Sequence, residues 1–256
     1  MSFNSIYVNG SSFSCGNGLD LIEIKKIYKE KLNIEIQNHI DFSYPNIIAT
    51  NFQTKIINEA VPGGSLNRLI RKTYQFIFDK KNISKNTLFI LELPPMWRDE
   101  FYSNKLDRFI NITWGTIKNP TKDLTNIRNG YDVSDILKIY DDLTNCFDNF
   151  INVDLEAKKS FINLLGLISY MSNVGLKFIL IDCAGFKEFL NHNAITNDYN
   201  FLFFDNKKMH HWIVDNKLTI NDELGVKIDT HAGIVGNEKI ASILSEYIKN
   251  NFWYTY

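Results

Sequence analysis

The chain has 256 residues, 28 Lys and Arg against 29 Asp and Glu, a formal charge of −1 and a hydrophobic content of 45%. Such a composition excludes a disordered polyelectrolyte, and near-neutrality removes the counterion release that drives binding to duplex nucleic acid. No apolar run reaches the ~20 residues that span a bilayer; the longest, Phe161 to Met171, is broken by Asn163 and Ser169.

The length suits one domain. The start, Met1 to Ser5, lacks a basic segment followed by a long apolar stretch, so no signal peptide is expected. Cys15, Cys146 and Cys183 are too scattered for a disulfide framework. Together these features predict a reduced, cytoplasmic, single-domain protein with neither nucleic-acid nor membrane partners.

Short apolar runs alternate with amphipathic stretches, the pattern of a parallel sheet covered by helices. Ser5 to Val8 is a β-prone run ending at the turn pair Asn9-Gly10. Tyr44 to Phe52 predicts a helix with Ile47, Ile48 and Phe52 on one side and Pro45 in its first turn. Lys55 to Asn58 is a second strand, stopped by Pro62-Gly63-Gly64. Ser65 is placed to cap a helix in which Leu66, Leu69, Ile70, Tyr74 and Ile77 recur at helical spacing.

Thr87 to Leu93 is a continuous apolar run, as expected of a strand covered on both faces. Pro94-Pro95 ends it. From about 97 to 154 the chain is polar and aromatic with weak periodicity, which predicts an insertion or lid with its own helix near Val133 to Phe150. A helix over Leu155 to Val174, a strand over Lys177 to Ile181 and a closing helix over Asn237 to Asn250 complete the pattern.

Loops that follow parallel strands gather at one edge of the sheet, where ligands bind. Three of them carry suggestive chemistry. Gly10-Ser11-Ser12-Phe13 follows the first strand, and a serine on such a turn has backbone N–H groups nearby to face an oxyanion. Asn58 to Ser65 joins the second strand to a helix N-terminus through two glycines that permit close backbone approach. Asp229-Thr230-His231 sets a carboxylate two residues before an imidazole, a base with its orienting partner. Taken singly, each segment also reads as an ordinary turn.

Together and in this order, the blocks resemble the SGNH (GDSL-type) hydrolase superfamily. Gly10-Ser11-Ser12-Phe13 stands where that family has Gly-Asp-Ser-Leu, and Asn58-Glu59-Ala60-Val61-Pro62-Gly63 where it has Asn-x-Gly-x-x-Gly. Asp229-Thr230-His231 is similar to the final Asp-x-x-His block with one residue fewer. The resemblance implies a three-layer α/β/α sandwich around a central parallel sheet, of flavodoxin-like type. It implies a serine esterase acting on a small acyl ester such as an O-acetylated carbohydrate. Ser12 is then the nucleophile, His231 the base, Asp229 its partner, and the N–H groups of Ser12 and Gly63 the oxyanion hole. No cofactor or metal is implied.

Three departures stand out. Ser11 replaces the acidic residue, Ala60 replaces a glycine, and the third block reads Pro94-Pro95-Met96-Trp97-Arg98-Asp99 where the family has Gly-x-Asn-Asp. The donor normally supplied by that asparagine falls to Arg98, or to the Trp97 indole N–H, or is absent and leaves two backbone N–H groups, with Arg98 paired to Asp99 or Glu100 at the surface. An inactive carbohydrate-binding or structural module, or an acyl transfer between sugars, fits the same blocks.

Other features carry less. His210-His211 lacks ligand partners at metal spacing and reads as a surface pair. Asp141-Asp142 suits a solvated helix face. Cys15 lacks a base and reads as packing, and the aromatic ending Phe252 to Tyr256 is expected to dock on the domain.

Overall fold

The computed structural model describes residues 3–95, 98–105, 107–113, 145, 152–183, 201–202, 204–205 and 207–252. The four strands expected from the apolar runs form: β1 (Ser5–Asn9), β2 (Lys55–Asn58), β3 (Thr87–Leu93) and, as the sixth strand in chain order, β6 (Lys177–Asp182). A two-residue strand, β7 (Phe201–Leu202), extends the sheet to the order β2-β1-β3-β6-β7, and every pairing in it is parallel.

Both faces of this sheet are covered, which explains the uninterrupted apolar runs. Along β3, Leu88 and Ile90 enter one core, with α2 (Tyr44–Asn51) and the closing helix α8 (Ile234–Asn251) against them. Phe89, Leu91 and Leu93 enter the other, beneath α3 (Leu66–Asp79) and α5 (Val153–Asn173). Each such buried aliphatic side chain contributes about 1.5–3 kcal/mol. The result is the three-layer α/β/α sandwich with a central parallel sheet. Pro45 lies in the first turn of α2, and Ser65 caps α3 by accepting from the Arg68 N–H at 3.2 Å.

Several elements lie outside the sequence expectation. Helix α1 (Ile22–Leu32) buries only Ile24 and Tyr28, so its apolar periodicity is faint. Short helices α4 (Lys81–Ser84), α6 (Met209–Asp215) and α7 (Ile220–Leu224) and a 3₁₀ turn (His39–Phe42) are too brief to leave a pattern. Helix α8 starts at Ile234, ahead of the expected Asn237.

Of the segment from 97 to 154, the described part opens with an antiparallel hairpin of β4 (Arg98–Ser103) and β5 (Arg108–Thr113), paired with itself and not with the parallel sheet. It docks on α3: Arg71 grips Glu100 with two bonds of 2.7 and 2.8 Å and lies 3.9 Å from the Phe109 ring centre. The helix expected near 133–150, Asp141-Asp142 and Cys146 lie outside the described residues. So does the aromatic ending past Phe252, which itself is buried in the α2/α8 core.

Candidate active site

Strands β1, β2, β3 and β6 deliver their carboxyl ends to one edge, and the first two loops meet there. The Asn58 side chain joins them, donating to the Ser14 carbonyl at 2.9 Å while accepting from the Ala60 N–H at 3.0 Å. Gly64 closes onto the Gly10 carbonyl so tightly that a Cβ would lie 2.5 Å from that oxygen. Gly63 turns the chain with φ +69°, a conformation that suits glycine. Arg68 braces the loop from α3, donating to the Glu59 carbonyl at 2.7 Å. Ser12 is largely buried, and its carbonyl accepts from the Asn17 N–H at 2.9 Å.

The third loop arrives from the far end of the sequence. Both Asn221 and Ile220 of α7 hold it in shape. The Asn221 Oδ1 accepts from the Ile228 and Asp229 N–H groups at 2.6 and 2.7 Å, and the Ile220 N–H donates to the His231 carbonyl at 2.9 Å. Within it, Asp229 Oδ1 lies 2.5 Å from His231 Nδ1 and also accepts the His231 backbone N–H at 2.8 Å. The two-residue spacing therefore works because one oxygen holds both the ring and the backbone of the same histidine. A carboxylate can only accept, so Nδ1 carries the proton, and in the neutral ring the lone pair is on Nε2.

Contacts between the first and third loops are direct. The Phe13 ring, next in sequence to Ser12, sits 5.0 Å from the His231 ring. A Cβ on Gly18 would lie 2.9 Å from Asp229 Oδ2. The structure thus gathers the loops that carry Ser12, Gly63, Asp229 and His231.

Three features escaped the sequence reading. His210 is half-buried rather than part of a surface pair, its ring 5.7 Å from Phe13. Burial, with the neighbouring His211 and His231, holds its imidazole below the usual range. Only the bond from its N–H, in the first turn of α6, to the Cys183 carbonyl just past β6, at 3.4 Å, brings it here, and no spacing signals that. The second feature is Glu92, wholly buried in β3 yet bonded to Ser11 and Ser14. The third is the state of the thiols. Burial and then the Glu92 charge push Cys15 up to about 12, and the same two causes raise Cys183. Both are poor nucleophiles at neutral pH.

Arg98 opens β4, and the two acids that follow it are engaged elsewhere. Asp99 accepts from Asn67 at 2.6 Å, and Glu100 is held by Arg71. Arg98 lies five residues past the end of β3, where its N–H donates to the Pro95 carbonyl at 3.2 Å, and its charge opposes the upward push that burial and Glu92 give the Cys183 thiol. Among the described residues, no group of three His, Cys, Asp or Glu side chains is arranged to hold a metal ion, and no helix is long and apolar enough to cross a membrane.

No protein-family pattern and no curated protein matches the sequence. Among solved structures, the chain is similar to the psychrotrophic esterase EstA from Pseudoalteromonas sp., inhibited by monoethylphosphonate. The identity is 14%, the TM-score 0.50, and the match covers 96% of this chain and 97% of that one. It is also similar to a protein from Desulfitobacterium hafniense described as lipolytic and of the G-D-S-L family, at 11% identity and a TM-score of 0.45, over 95% and 98% of the two chains. A family two carbohydrate esterase from Clostridium thermocellum matches at 11% identity and a TM-score of 0.37, over 99% of this chain and 66% of that one. At 14% identity the likeness to the Pseudoalteromonas esterase speaks for architecture: the chain has its three-layer fold, the fold the sequence blocks imply through their resemblance to SGNH (GDSL-type) hydrolases.

Proposed function

We propose that this protein is a serine ester hydrolase. Ser12 attacks the carbonyl of a small acyl ester while His231 Nε2 takes the hydroxyl proton. Asp229 fixes the ring and stabilises the imidazolium that forms. The imidazolium returns its proton to the departing alkoxide, and water, activated by the same His231, releases the acyl group from Ser12. The N–H groups of Ser12 and Gly63 face the tetrahedral oxyanion. One observation carries the reading: the Asp229–His231 pair, with 2.5 Å between Oδ1 and Nδ1, packs its ring against Phe13, the neighbour of Ser12.

The direct test is hydrolysis of a chromogenic acetate ester, followed by labelling with a serine-directed fluorophosphonate and mapping of the adduct. The adduct is expected on Ser12, and an acetylated sugar is the second substrate to try. Failure of both hydrolysis and labelling would turn the reading towards a non-catalytic carbohydrate-binding or structural module. Acyl appearing on an added sugar in preference to water would make it an acyltransferase.

Arg98 is proposed as the third oxyanion donor, supported by its place shortly after the carboxyl end of β3, where its N–H donates to the Pro95 carbonyl at 3.2 Å. A fixed cation gains most from charge that develops in the transition state. Arg98→Ala is therefore expected to lower kcat on the order of 10²–10³-fold with little change in KM. Arg98→Lys should fall between that variant and the parent. Steady-state kinetics on the acetate ester checks this, and unchanged turnover leaves a two-donor hole.

A further inference from the structure

We infer that Glu92 is the positioning residue of the nucleophile turn, a carboxylate reaching up from the sheet to hold both sides of Ser12 at once; this rests on Ser12 being the nucleophile.

The geometry is specific. Glu92 Oε1 accepts the Ser11 hydroxyl at 2.5 Å and the Ser11 N–H at 3.3 Å. Its other oxygen, Oε2, accepts the Ser14 N–H at 2.7 Å and also the Ser14 hydroxyl. Because the Ser14 proton is directed to Glu92, the Tyr44 hydroxyl, 2.6 Å away, donates to Ser14 Oγ. One side chain thus ties down the residues flanking Ser12 and Phe13, through two backbone amides and two hydroxyls. Tyr44 supports that arrangement from the buried end of α2.

Position matters as much as bonding. Glu92 is the second-last residue of β3, in the middle of the five-stranded sheet, and shares a face with Leu88 and Ile90 in an otherwise apolar core. A carboxylate there carries a heavy desolvation cost unless its lone pairs are used, and here each oxygen has two donors. Ser11, standing where the resemblance expects an acid, supplies a donor to Glu92. A carboxylate at both positions would repel. The negative group that orders this turn therefore comes from the third strand instead of from the turn itself.

A packing role and a positioning role predict opposite results for Glu92→Gln. The amide has nearly the same shape and removes a buried charge, so packing alone predicts an unchanged or higher Tm and unchanged kinetics. Positioning predicts a loss. An amide nitrogen cannot accept, so one of the two backbone N–H groups is left facing a donor and one side of the turn loosens. The fluorophosphonate labelling rate and kcat should fall about 10²-fold, with KM within about twofold and the protein still folded at the assay temperature. Ser11→Ala and Ser14→Ala keep the backbone bonds and should each slow labelling less.

The second measurement does not depend on activity. Amide hydrogen exchange over residues 10–15 should become about tenfold faster in Glu92→Gln, with protection of β1 retained. If exchange accelerates but neither parent nor variant labels, the Ser12 reading fails while Glu92 still orders the turn. If the variant labels and exchanges at parental rates, the inference is overturned. Should Glu92→Gln fail to fold, Glu92→Asp takes its place: its carboxylate, one methylene shorter, cannot span both amides, and parental labelling and exchange rates in it would overturn the inference.

Discussion

Ser12→Ala is expected to remove essentially all ester hydrolysis and all fluorophosphonate labelling, a loss in kcat on the order of 10⁶-fold. The methyl group cannot form the acyl intermediate, and the remaining oxyanion donors only assist direct attack by water. Ser11→Ala is the informative control. It deletes a donor to Glu92 but leaves the Ser11 N–H in place, so activity should stay within about tenfold of the parent. Labelling that maps to Ser11, Ser14 or Cys15 would place the nucleophile elsewhere on this turn. Cys15 is a poor rival, because burial and the Glu92 charge keep its thiol protonated.

His231→Ala comes next in size, with an expected fall in kcat of about 10⁴–10⁶-fold, since an unassisted hydroxyl is a weak nucleophile. Asp229 divides into two roles that substitutions can separate. Asp229→Asn keeps an Oδ1 to accept both the backbone and ring N–H of His231, and loses the charge that stabilises the imidazolium; a loss of about 10²-fold is expected. Asp229→Ala also removes the bonds that shape the loop and should approach His231→Ala. Equal kinetics for Asp229→Asn and the parent would reduce the catalytic unit to Ser12 and His231. The observable in each case is kcat on the acetate ester, checked against an unchanged circular-dichroism spectrum.

Much of the sheet was legible because its strands are buried on both sides. Leu88 to Leu91 and Phe178 to Ile181 are unbroken apolar runs that a one-sided strand would not have. The hairpin at Arg98–Thr113 was not legible, because it is held by polar contacts with α3, such as Arg71 with Glu100, that leave no periodicity. Nor was α1, whose apolar residues are half spent on exposed positions such as Ile22.

Legibility of the candidate site followed the same logic. Ser12, Gly63 and His231 stood out because each lies in a turn with its own local signature. Glu92 and His210 have no local signature at all. A single acid within an apolar strand, and a histidine at the start of a short helix, acquire meaning only from serines and a phenylalanine some eighty or more residues away.

The loops assembled at the sheet edge come from opposite extremes of the chain: the turn bearing Ser12 follows the first strand, while Asp229 and His231 immediately precede the last helix. The early turn is in turn supported by Glu92 from the third strand. A ribosome making this protein therefore releases the Ser12 turn long before Asp229 and His231 exist. Helix α8, which must emerge to pack against α2, follows the base directly. On the proposed reading, a nascent chain that has not yet made Asp229 and His231 carries Ser12 without a base, and ester hydrolysis awaits the emergence of both.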